Sequence, residues 1–283
     1  MTILVFGKNG QVARELAAHP GVTCLGRDQA DLSDPAACAD AIRAARPQAV
    51  INAAAYTAVD KAESEEALAT VINGEAPGAM ARACAALEVP FVTLSTDYVF
   101  EGGGETPWQP ADATGPLGAY GRSKLAGEQA VRAAGGVSAI LRTSWVVSCH
   151  GHNFVKTMLR LGRERDRLTI VADQIGAPTP ARAIATACLR VAEQLKTDPE
   201  KGGVHHFAGA PDTSWACFAR ETFAQAGIDC VVEDIPTSAY PTPAQRPLNS
   251  RLDCSSFEAA FDMPRPDWRQ GLSDILKDLG ERT

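Results

Sequence analysis

The N-terminal stretch Ile3-Leu4-Val5-Phe6-Gly7-Lys8-Asn9-Gly10-Gln11-Val12-Ala13 decides the fold class of this chain. Its first four residues form a short apolar run, which is typical of a buried parallel strand. Two glycines then predict a tight loop, and the residues from Gln11 to His19 predict a helix that ends before Pro20-Gly21. A strand, a glycine loop and a helix in this order favour a dinucleotide site, because glycine lets the backbone approach a pyrophosphate.

The rest of the first half repeats this alternation of strand and helix. Asp34-Pro35 is a typical helix start, and that helix is expected to end before Pro47. Residues 63–87 predict helical segments interrupted near residues 74–78. Further strands are predicted at residues 22–25, 49–55, 90–95, 138–142 and 168–171, and a further helix at residues 120–134. The repeated units predict an α/β chain with a Rossmann-like, doubly wound parallel sheet.

The pattern becomes irregular after about residue 145. Pro- and Thr-rich pieces occur at residues 176–180 and 236–243, which predict a small C-terminal substrate-binding lobe. We assign residues 1–145 mainly to an NAD(P)-binding Rossmann domain. Residues 146–283 are assigned mainly to the substrate-binding lobe, with some segments returning to the Rossmann domain.

Composition narrows the class of protein. With 27 Lys+Arg against 34 Asp+Glu the net charge is -7, which argues against a nucleic-acid partner because such proteins need a basic face. The eight cysteines form no C-x-x-C pair, so a zinc or redox motif is not expected and the thiols are expected to be reduced. Neither a signal peptide nor a long apolar run is found, which predicts a cytoplasmic protein without a membrane partner.

The glycine loop has the spacing G-x-x-G-x-x-A, with Gly7, Gly10 and Ala13 at the fixed positions. Ala13 is small enough for close packing of helix on strand. Beyond the second strand, Asp31 suits the hydroxyls of the adenosine ribose, whereas Arg27 suits a 2′-phosphate. The choice between NADH and NADPH therefore stays open, and a plain turn and a solvated charged loop are the alternatives.

Two further strand ends carry candidate contacts. The small residues of Asn52-Ala53-Ala54-Ala55-Tyr56 let a cofactor lie close to the backbone. Ser95-Thr96-Asp97-Tyr98 follows the fourth strand, and ligands of such sheets bind at the carboxyl ends of strands. The alternatives are an alanine-rich strand end and a capping cluster of polar residues.

Tyr120 and Lys124 are four residues apart in a predicted helix, so their side chains share one face. A free Tyr has a pKa near 10, and a nearby ammonium that favours the phenolate improves proton exchange at neutral pH. The Y-x-x-x-K spacing occurs often by chance, so the pair alone favours a solvated surface position. Its place one strand and one loop after Thr96 favours a role in catalysis.

These motifs together resemble the extended short-chain dehydrogenase/reductase superfamily and, within it, the dTDP-4-dehydrorhamnose reductase family. The resemblance covers essentially the whole chain. The matching blocks are Gly7 to Val12, NAAAYTAVDKAE (52–63), STDYVF (95–100), YGRSKLAGE (120–128), RTSWV (142–146), NFVKTMLRL (153–161), DQIGAPT (173–179) and YPTPAQRPLNSRL (240–252).

The resemblance implies reduction of the C4 ketone of dTDP-4-dehydro-L-rhamnose to dTDP-L-rhamnose, with NADPH or NADH as cofactor. It implies Thr96, Tyr120 and Lys124 as catalytic residues. Tyr120 would protonate the sugar C4 oxygen, Lys124 would hold the nicotinamide ribose and tune Tyr120, and Thr96 would polarise the carbonyl. Expected cofactor contacts are Gly7, Asn9, Gly10, Gln11, Val12, Arg27, Asp31, Leu32, Ala53, Ala54, Ala55 and Lys124. Expected substrate contacts are Thr96, Asp97, Tyr98, Tyr120, Trp145, Arg246, Asn249 and Arg251.

The last three of these residues are assigned by position to the nucleotide diphosphate, because guanidinium suits phosphate. Internal salt bridges are the alternative for them. Some members of the family bind magnesium through glutamates at a dimer interface. Glu15 matches one such acid, but Arg182 stands where a second is expected and Asp278 is near the third. We therefore expect no metal, and either a monomer or a homodimer.

Two other functions stay open. Related 4,6-dehydratases follow the threonine with Asp-Glu, whereas here Asp97 is followed by Tyr98, which favours reduction over a dehydratase or epimerase. A non-catalytic NAD(P)-binding regulatory subunit is a second alternative, and the intact Thr96, Tyr120 and Lys124 argue against it. The nucleotide on the sugar, dTDP or UDP, is not decided by these residues.

Overall fold

Twelve strands and eleven α-helices build the chain, in a computed structural model that describes residues 1–281. The strands are β1 (Ile3–Phe6), β2 (Val22–Leu25), β3 (Ala49–Asn52), β4 (Phe91–Thr96), β5 (Ser138–Thr143), β6 (Val146–Val147), β7 (Arg167–Val171), β8 (Ile175–Gly176), β9 (Thr179–Pro180), β10 (Gly203–His206), β11 (Thr213–Ser214) and β12 (Val231–Ile235). The helices are α1 (Gln11–Ala17), α2 (Pro35–Ala45), α3 (Val59–Ala62), α4 (Glu66–Thr70), α5 (Ala76–Ala86), α6 (Ala119–Ala133), α7 (Phe154–Glu164), α8 (Ala181–Thr197), α9 (Trp215–Ala226), α10 (Ser255–Phe261) and α11 (Trp268–Asp278).

Six of the strands form one parallel sheet in the order β2-β1-β3-β4-β5-β10. The chain leaves β1 toward one edge of the sheet and returns through β3 toward the other. The loops after β1 and β3 therefore flank the point where the strand order reverses, which is where ligands bind in such sheets. The predicted Rossmann-like, doubly wound fold is confirmed.

The uniform apolar run of β1 follows from burial on both faces of the sheet. Ile3 and Val5 pack into the core beneath α1 and α8, whereas Leu4 and Phe6 pack into the core on the opposite face. Helices α2, α5 and α6 cover that second face. Helix α8 and strand β10 both follow residue 145 in the chain, and both lie in this sheet layer.

Segments from the C-terminal half of the chain form a second layer of structure. Strands β7 and β12 form a separate parallel pair. Helices α7, α9 and α11 pack together around Phe218 and Trp268, which are both fully buried. The assignment of this part to substrate binding, and of residues 1–145 mainly to cofactor binding, stays a prediction.

Two details differ from the sequence-based expectation. The strand expected at 168–171 exists, but it pairs with β12, and the sixth strand of the main sheet is β10. The helix is also not interrupted near residues 74–78, because a π-helical turn at Val71–Glu75 runs directly into α5. The glycines there serve packing: a Cβ on Gly78 would lie 2.8 Å from the Cβ of Ala130 in α6.

All eight cysteines are free, as predicted. Within residues 1–281, none of the helices combines the length and apolar character that crossing a membrane requires.

Candidate active site

Thr96, Tyr120 and Lys124 come together at the carboxyl end of β4. Helix α6 begins one residue before Tyr120, so Tyr120 and Lys124 lie one turn apart on the same helical face. The Tyr120 phenol lies near the Thr96 hydroxyl, which acts on its pKa, and Lys124 Nζ donates to the carbonyl oxygen of Leu94 at 2.7 Å. Because Lys124 is only 5% exposed, the alternative of a solvated surface pair is wrong.

Burial dominates the ionisation of both side chains. It lowers the pKa of Lys124 to about 8, against the opposing effect of the Glu128 carboxylate. Burial, together with the charge of Asp97, raises the pKa of Tyr120 to about 12, although the Thr96 hydroxyl acts the other way. The expected lowering of the Tyr120 pKa is therefore not found. Tyr120 is instead a fully protonated phenol near neutral pH.

The start of α6 is held by contacts that do not involve its own helix. Glu63 accepts a 2.9 Å hydrogen bond from the backbone N–H of Ala119, which places an acid at the positive end of the helix. Gly121 is required because a Cβ there would lie 2.2 Å from the carbonyl oxygen of Tyr98. These two contacts bring Tyr120 against the segment that follows β4.

Asp97 and Tyr98 continue the cluster beyond Thr96. Asp97 is 2% exposed, and its Oδ1 accepts a 3.0 Å hydrogen bond from Thr96 Oγ1. Burial raises the pKa of Asp97 to about 6. The Tyr98 ring meets the Tyr120 ring edge to face, with centroids 5.4 Å apart. Both predicted substrate residues thus lie beside the predicted proton donor.

The three C-terminal candidates differ in how freely they can meet a ligand. Arg246 donates a 2.7 Å hydrogen bond to Asp60, while its Nη1 is buried without a partner in the part of the chain that the structure describes. Asn249 uses its amide on the carbonyl oxygens of Gly103 and Thr106, at 3.2 and 2.9 Å.

Arg251 donates to Asn249 Oδ1 at 3.1 Å, so Asn249 orients this arginine. The Asn249 side chain is thus fully used in bonds within the protein, as the alternative of internal pairing predicts. Arg246 and Arg251 are only partly used in this way. Their contact with a nucleotide diphosphate stays a prediction.

Trp145, which follows β5, has a left-handed backbone, with φ of 47°. Its ring stacks on Trp215 with centroids 3.5 Å apart. Gly176 leaves room for this stack, because a Cβ there would lie 2.8 Å from the Trp145 ring. The position of the Trp145 ring therefore depends on the segments that carry Trp215 and Gly176.

The glycine loop has the shape of a dinucleotide cradle. Gly7 has φ of +110°, and a Cβ on it would lie 3.4 Å from both Ala13 and Ala53. No side chain caps the N-terminus of α1 after Gly10, which leaves backbone N–H groups available to a pyrophosphate. The small residues predicted at this point therefore fit a cofactor that lies close to the backbone.

The adenosine end of the cradle carries charges of both signs. Arg27 and Asp31 are exposed and 3.9 Å apart, whereas the Leu32 side chain belongs to the core. Sequence reasoning missed Lys8, whose side chain approaches Gly26: a Cβ on Gly26 would lie 3.3 Å from Lys8 Cδ. Two cations, Lys8 and Arg27, thus stand near two acids, Asp28 and Asp31.

Comparison with known proteins decides the family. A model of the family described as RmlD substrate binding domain matches residues 1–281. A dTDP-4-dehydrorhamnose reductase from Burkholderia thailandensis is 45% identical, over 99% of each chain. Another from Sinorhizobium fredii is 44% identical, over 98% of this chain and 97% of that protein.

This chain belongs to the dTDP-4-dehydrorhamnose reductase family. The predicted family is therefore confirmed. The crystal structure of a family member from Bacillus anthracis, in complex with NADP, is 31% identical with a TM-score of 0.91, over 98% of this chain and 100% of that one.

Gln11 shows how this family member ties its cofactor loop to the C-terminal lobe. Its Oε1 accepts hydrogen bonds from Ser148 at 2.8 Å and from Asn153 at 3.0 Å. Sequence reasoning noted Asn153 only as part of a matching block and missed this link. Asn73 was missed too: in the π-helical turn it bonds Tyr56 and Ser123, which fixes the loop after β3 against α6. An unusual π turn near a predicted site would have been the relevant signal.

The acids that resemble a family magnesium site are already paired within this chain. Arg182 donates to Glu15 at 3.2 Å and to Asp278 at 2.7 Å. Glu15, Cys149 and His150 also hold possible ligand atoms within 4.8 Å of one another. Since the Arg182 guanidinium lies against the Glu15 carboxylate, which both groups share, these residues do not fit the magnesium site that the resemblance implies.

Proposed function

We propose that this chain reduces the C4 ketone of dTDP-4-dehydro-L-rhamnose to give dTDP-L-rhamnose, with NADPH or NADH as the reductant. The observation that carries this proposal is the joining of Thr96, Tyr120 and Lys124 at the carboxyl end of β4, in a chain whose relatives are dTDP-4-dehydrorhamnose reductases. The nicotinamide cofactor, when bound, supplies the hydride that adds to the ketone carbon.

Tyr120 is the proton donor in this proposal. The ketone oxygen gains negative charge as hydride arrives at carbon, and a proton must then reach that oxygen. A phenol whose pKa is about 12 holds its proton at neutral pH and releases it only to a strongly basic oxygen. Thr96 offers a hydroxyl beside Tyr120 and stabilises the same developing charge.

Lys124 binds and supports rather than transferring the proton itself. With a pKa of about 8, its amine is mainly an ammonium at neutral pH. One of its three N–H donors is used on Leu94, so two remain for ribose hydroxyls. The ammonium also replaces some of the stabilisation that the Tyr120 phenolate loses through burial after the proton leaves.

The cofactor and substrate contacts follow from the same placement. Gly7, Gly10 and the uncapped start of α1 would hold the pyrophosphate, and Lys8 with Arg27 would attract a 2′-phosphate. Asp28 and Asp31 at the same place suit the ribose hydroxyls of NADH, so either cofactor fits these charges. At the opposite end of the cleft, the unpaired Nη1 of Arg246 suits a sugar-nucleotide phosphate.

An epimerase or dehydratase is disfavoured by the residues after Thr96. The Asp97 carboxylate is buried against Thr96 and is followed by Tyr98, whose phenol packs on Tyr120. A second acid for water elimination is therefore missing from this segment. A purely regulatory subunit is disfavoured because nothing in that role requires the buried ammonium of Lys124 beside Tyr120.

A turnover assay tests the proposal. The purified protein is mixed with dTDP- and UDP-linked 4-keto-6-deoxy sugars, each with NADPH and with NADH, and loss of the reduced cofactor is followed. We expect turnover with the dTDP sugar, and the ratio of kcat/KM for NADPH and NADH decides the cofactor preference. Absence of turnover with all four combinations would reject the reductase function. The cytoplasmic location and the monomeric or homodimeric state remain proposals of their own.

A further inference from the structure

A row of polar side chains runs across three neighbouring strands behind the catalytic cluster. Ser95 on β4 is the register partner of Arg142 on β5, which in turn is the partner of His206 on β10. Directly opposite residues of paired strands project to the same face of a sheet. In this row all three side chains are buried, a position that polar groups take only when they are paired.

Glu128 is the group that pairs them. It lies one helical turn beyond Lys124 on α6 and is 4% exposed. Arg142 binds its carboxylate with two hydrogen bonds of 2.9 and 2.6 Å. Ser95 donates a third at 2.5 Å. The carboxylate is thus held as an anion by three donors in a water-excluded position.

We infer that Glu128, fixed by Arg142 and Ser95, is a positioning residue whose negative charge, one helical turn from the buried Lys124, supports the Lys124 ammonium in the proposed reduction. Burial alone favours a neutral amine, and Glu128 is the anion that opposes this effect. The inference rests on the proposed function only for its catalytic consequence. The effect of Glu128 on Lys124 is a property of the folded protein itself.

The other charged groups around Lys124 do not replace Glu128. Arg142 is cationic and disfavours a second cation nearby. His206 is neutral, because burial and Arg142 lower its pKa to about 3. Asp97 follows β4 and interacts with Thr96 and the two tyrosines rather than with Lys124.

The Glu128–Arg142 pair also connects α6 to the segment that carries Trp108 and Pro110. Arg142 Nη1 donates to the carbonyl oxygen of Pro110 at 3.2 Å. His206 contacts the carbonyl oxygen of Trp108 at 3.0 Å, and the Trp108 ring nitrogen donates to the carbonyl oxygen of Asn249. The Glu128–Arg142 pair therefore joins the lysine helix to the segment that carries Asn249 and Arg251.

The decisive measurement is the titration of Lys124 in the cofactor-free protein. Lysines are labelled with ¹³C at Cε, and the Lys124 signal is assigned by its loss in Lys124→Met. In Glu128→Gln we expect Lys124 to lose its proton at a pH about one unit lower than in the unchanged protein. The alkaline limb of the pH profile of kcat/KM should move down by the same amount.

Glu66→Gln is the matched control. Glu66 pairs with Arg122 of the same helix as Lys124 at 2.7 Å, but both side chains are exposed. The substitution removes an identical charge, and we expect neither the titration nor the profile to change. Because Glu128→Gln leaves Arg142 buried without a counter-charge, the double variant Glu128→Gln/Arg142→Met is measured as well, with a smaller downward shift expected.

An unchanged Lys124 titration in either folded variant would overturn the inference. Fold is checked by circular dichroism and thermal unfolding. If the unchanged protein lacks reductase activity, the proposed function fails while the NMR titration still decides the role of Glu128, so the two failures are distinguishable.

Discussion

The Lys124 ammonium donates a 2.7 Å hydrogen bond to the carbonyl oxygen of Leu94, two residues before Thr96 in β4. This bond joins the helix that carries Tyr120 to the strand that ends in Thr96. The lysine is therefore anchored before any ligand binds, and its remaining donors point to a role in holding a ribose.

Tyr120→Phe removes the phenolic proton and keeps the ring that packs on Tyr98. We expect kcat to fall by about 100-fold or more, which is typical when a general acid is lost. The dissociation constant for NADPH should stay within about twofold, because the variant leaves Lys124 and the glycine loop intact. Fluorescence titration with NADPH and steady-state kinetics measure the two quantities. A near-normal kcat would remove Tyr120 from the acid role.

Asp97→Asn should stabilise the protein at neutral pH. The pKa of Asp97 is about 6 in the folded protein, against an ordinary value of 3.8 for this side chain. A carboxyl with a raised folded pKa contributes stability at low pH, and this contribution is lost as the pH rises through about 6. The variant should thus gain about 3 kcal/mol in free energy of unfolding on going from pH 4 to pH 8, relative to the unchanged protein. Urea denaturation at both pH values checks this, and an equal difference at both would contradict it.

Gly121→Ala should destabilise the protein by about 1 to 3 kcal/mol, because the added Cβ collides with the backbone and α6 must shift. Its Cβ would lie 2.2 Å from the carbonyl oxygen of Tyr98. Turnover should fall too, since the shift moves Tyr120 and Lys124. The control is Gly115→Ala, where the nearest atom is a side-chain carbon at 3.5 Å. Equal stability of the two variants in urea would show that the close approach is unimportant.

Removal of divalent cations should leave turnover unchanged, because Arg182 already forms ion pairs with both Glu15 and Asp278. Treatment with EDTA and assay with and without added Mg²⁺ test this. Arg182→Glu should create a cluster of acids that can bind a cation. The midpoint of thermal unfolding of this variant should rise with Mg²⁺, since a ligand that binds only the folded state stabilises that state. If EDTA abolishes the activity of the unchanged protein and added Mg²⁺ restores it, the expectation that turnover needs no divalent cation is contradicted.

Much of the fold was predictable because the relevant information is local. The strand of Ile3 to Phe6, the cap and proline at Asp34-Pro35 and the helix that starts near Tyr120 all have the expected bounds within one residue. The sixth strand was not predicted. Gly203–His206 is short and half polar, and its buried His206 is paired with Trp108, which is distant in the sequence.

The candidate site likewise has features that were predictable from the sequence and features that were not. The glycine loop and the shared helical face of Tyr120 and Lys124 were predictable from the sequence, since glycine conformation and helical periodicity depend on a few neighbouring residues. The ionisation of Tyr120 was not, because it depends on burial and on Asp97, which another strand delivers.

The sequence by itself determined the alternation of strands and helices, the cofactor loop and the family. Only the tertiary structure decided which charges meet: Glu128 with Arg142 behind Lys124, and Arg182 between Glu15 and Asp278. The physical reason is the separation along the chain over which each interaction acts. Backbone preferences act between near neighbours, whereas burial and Coulomb interactions depend on segments that only folding brings together.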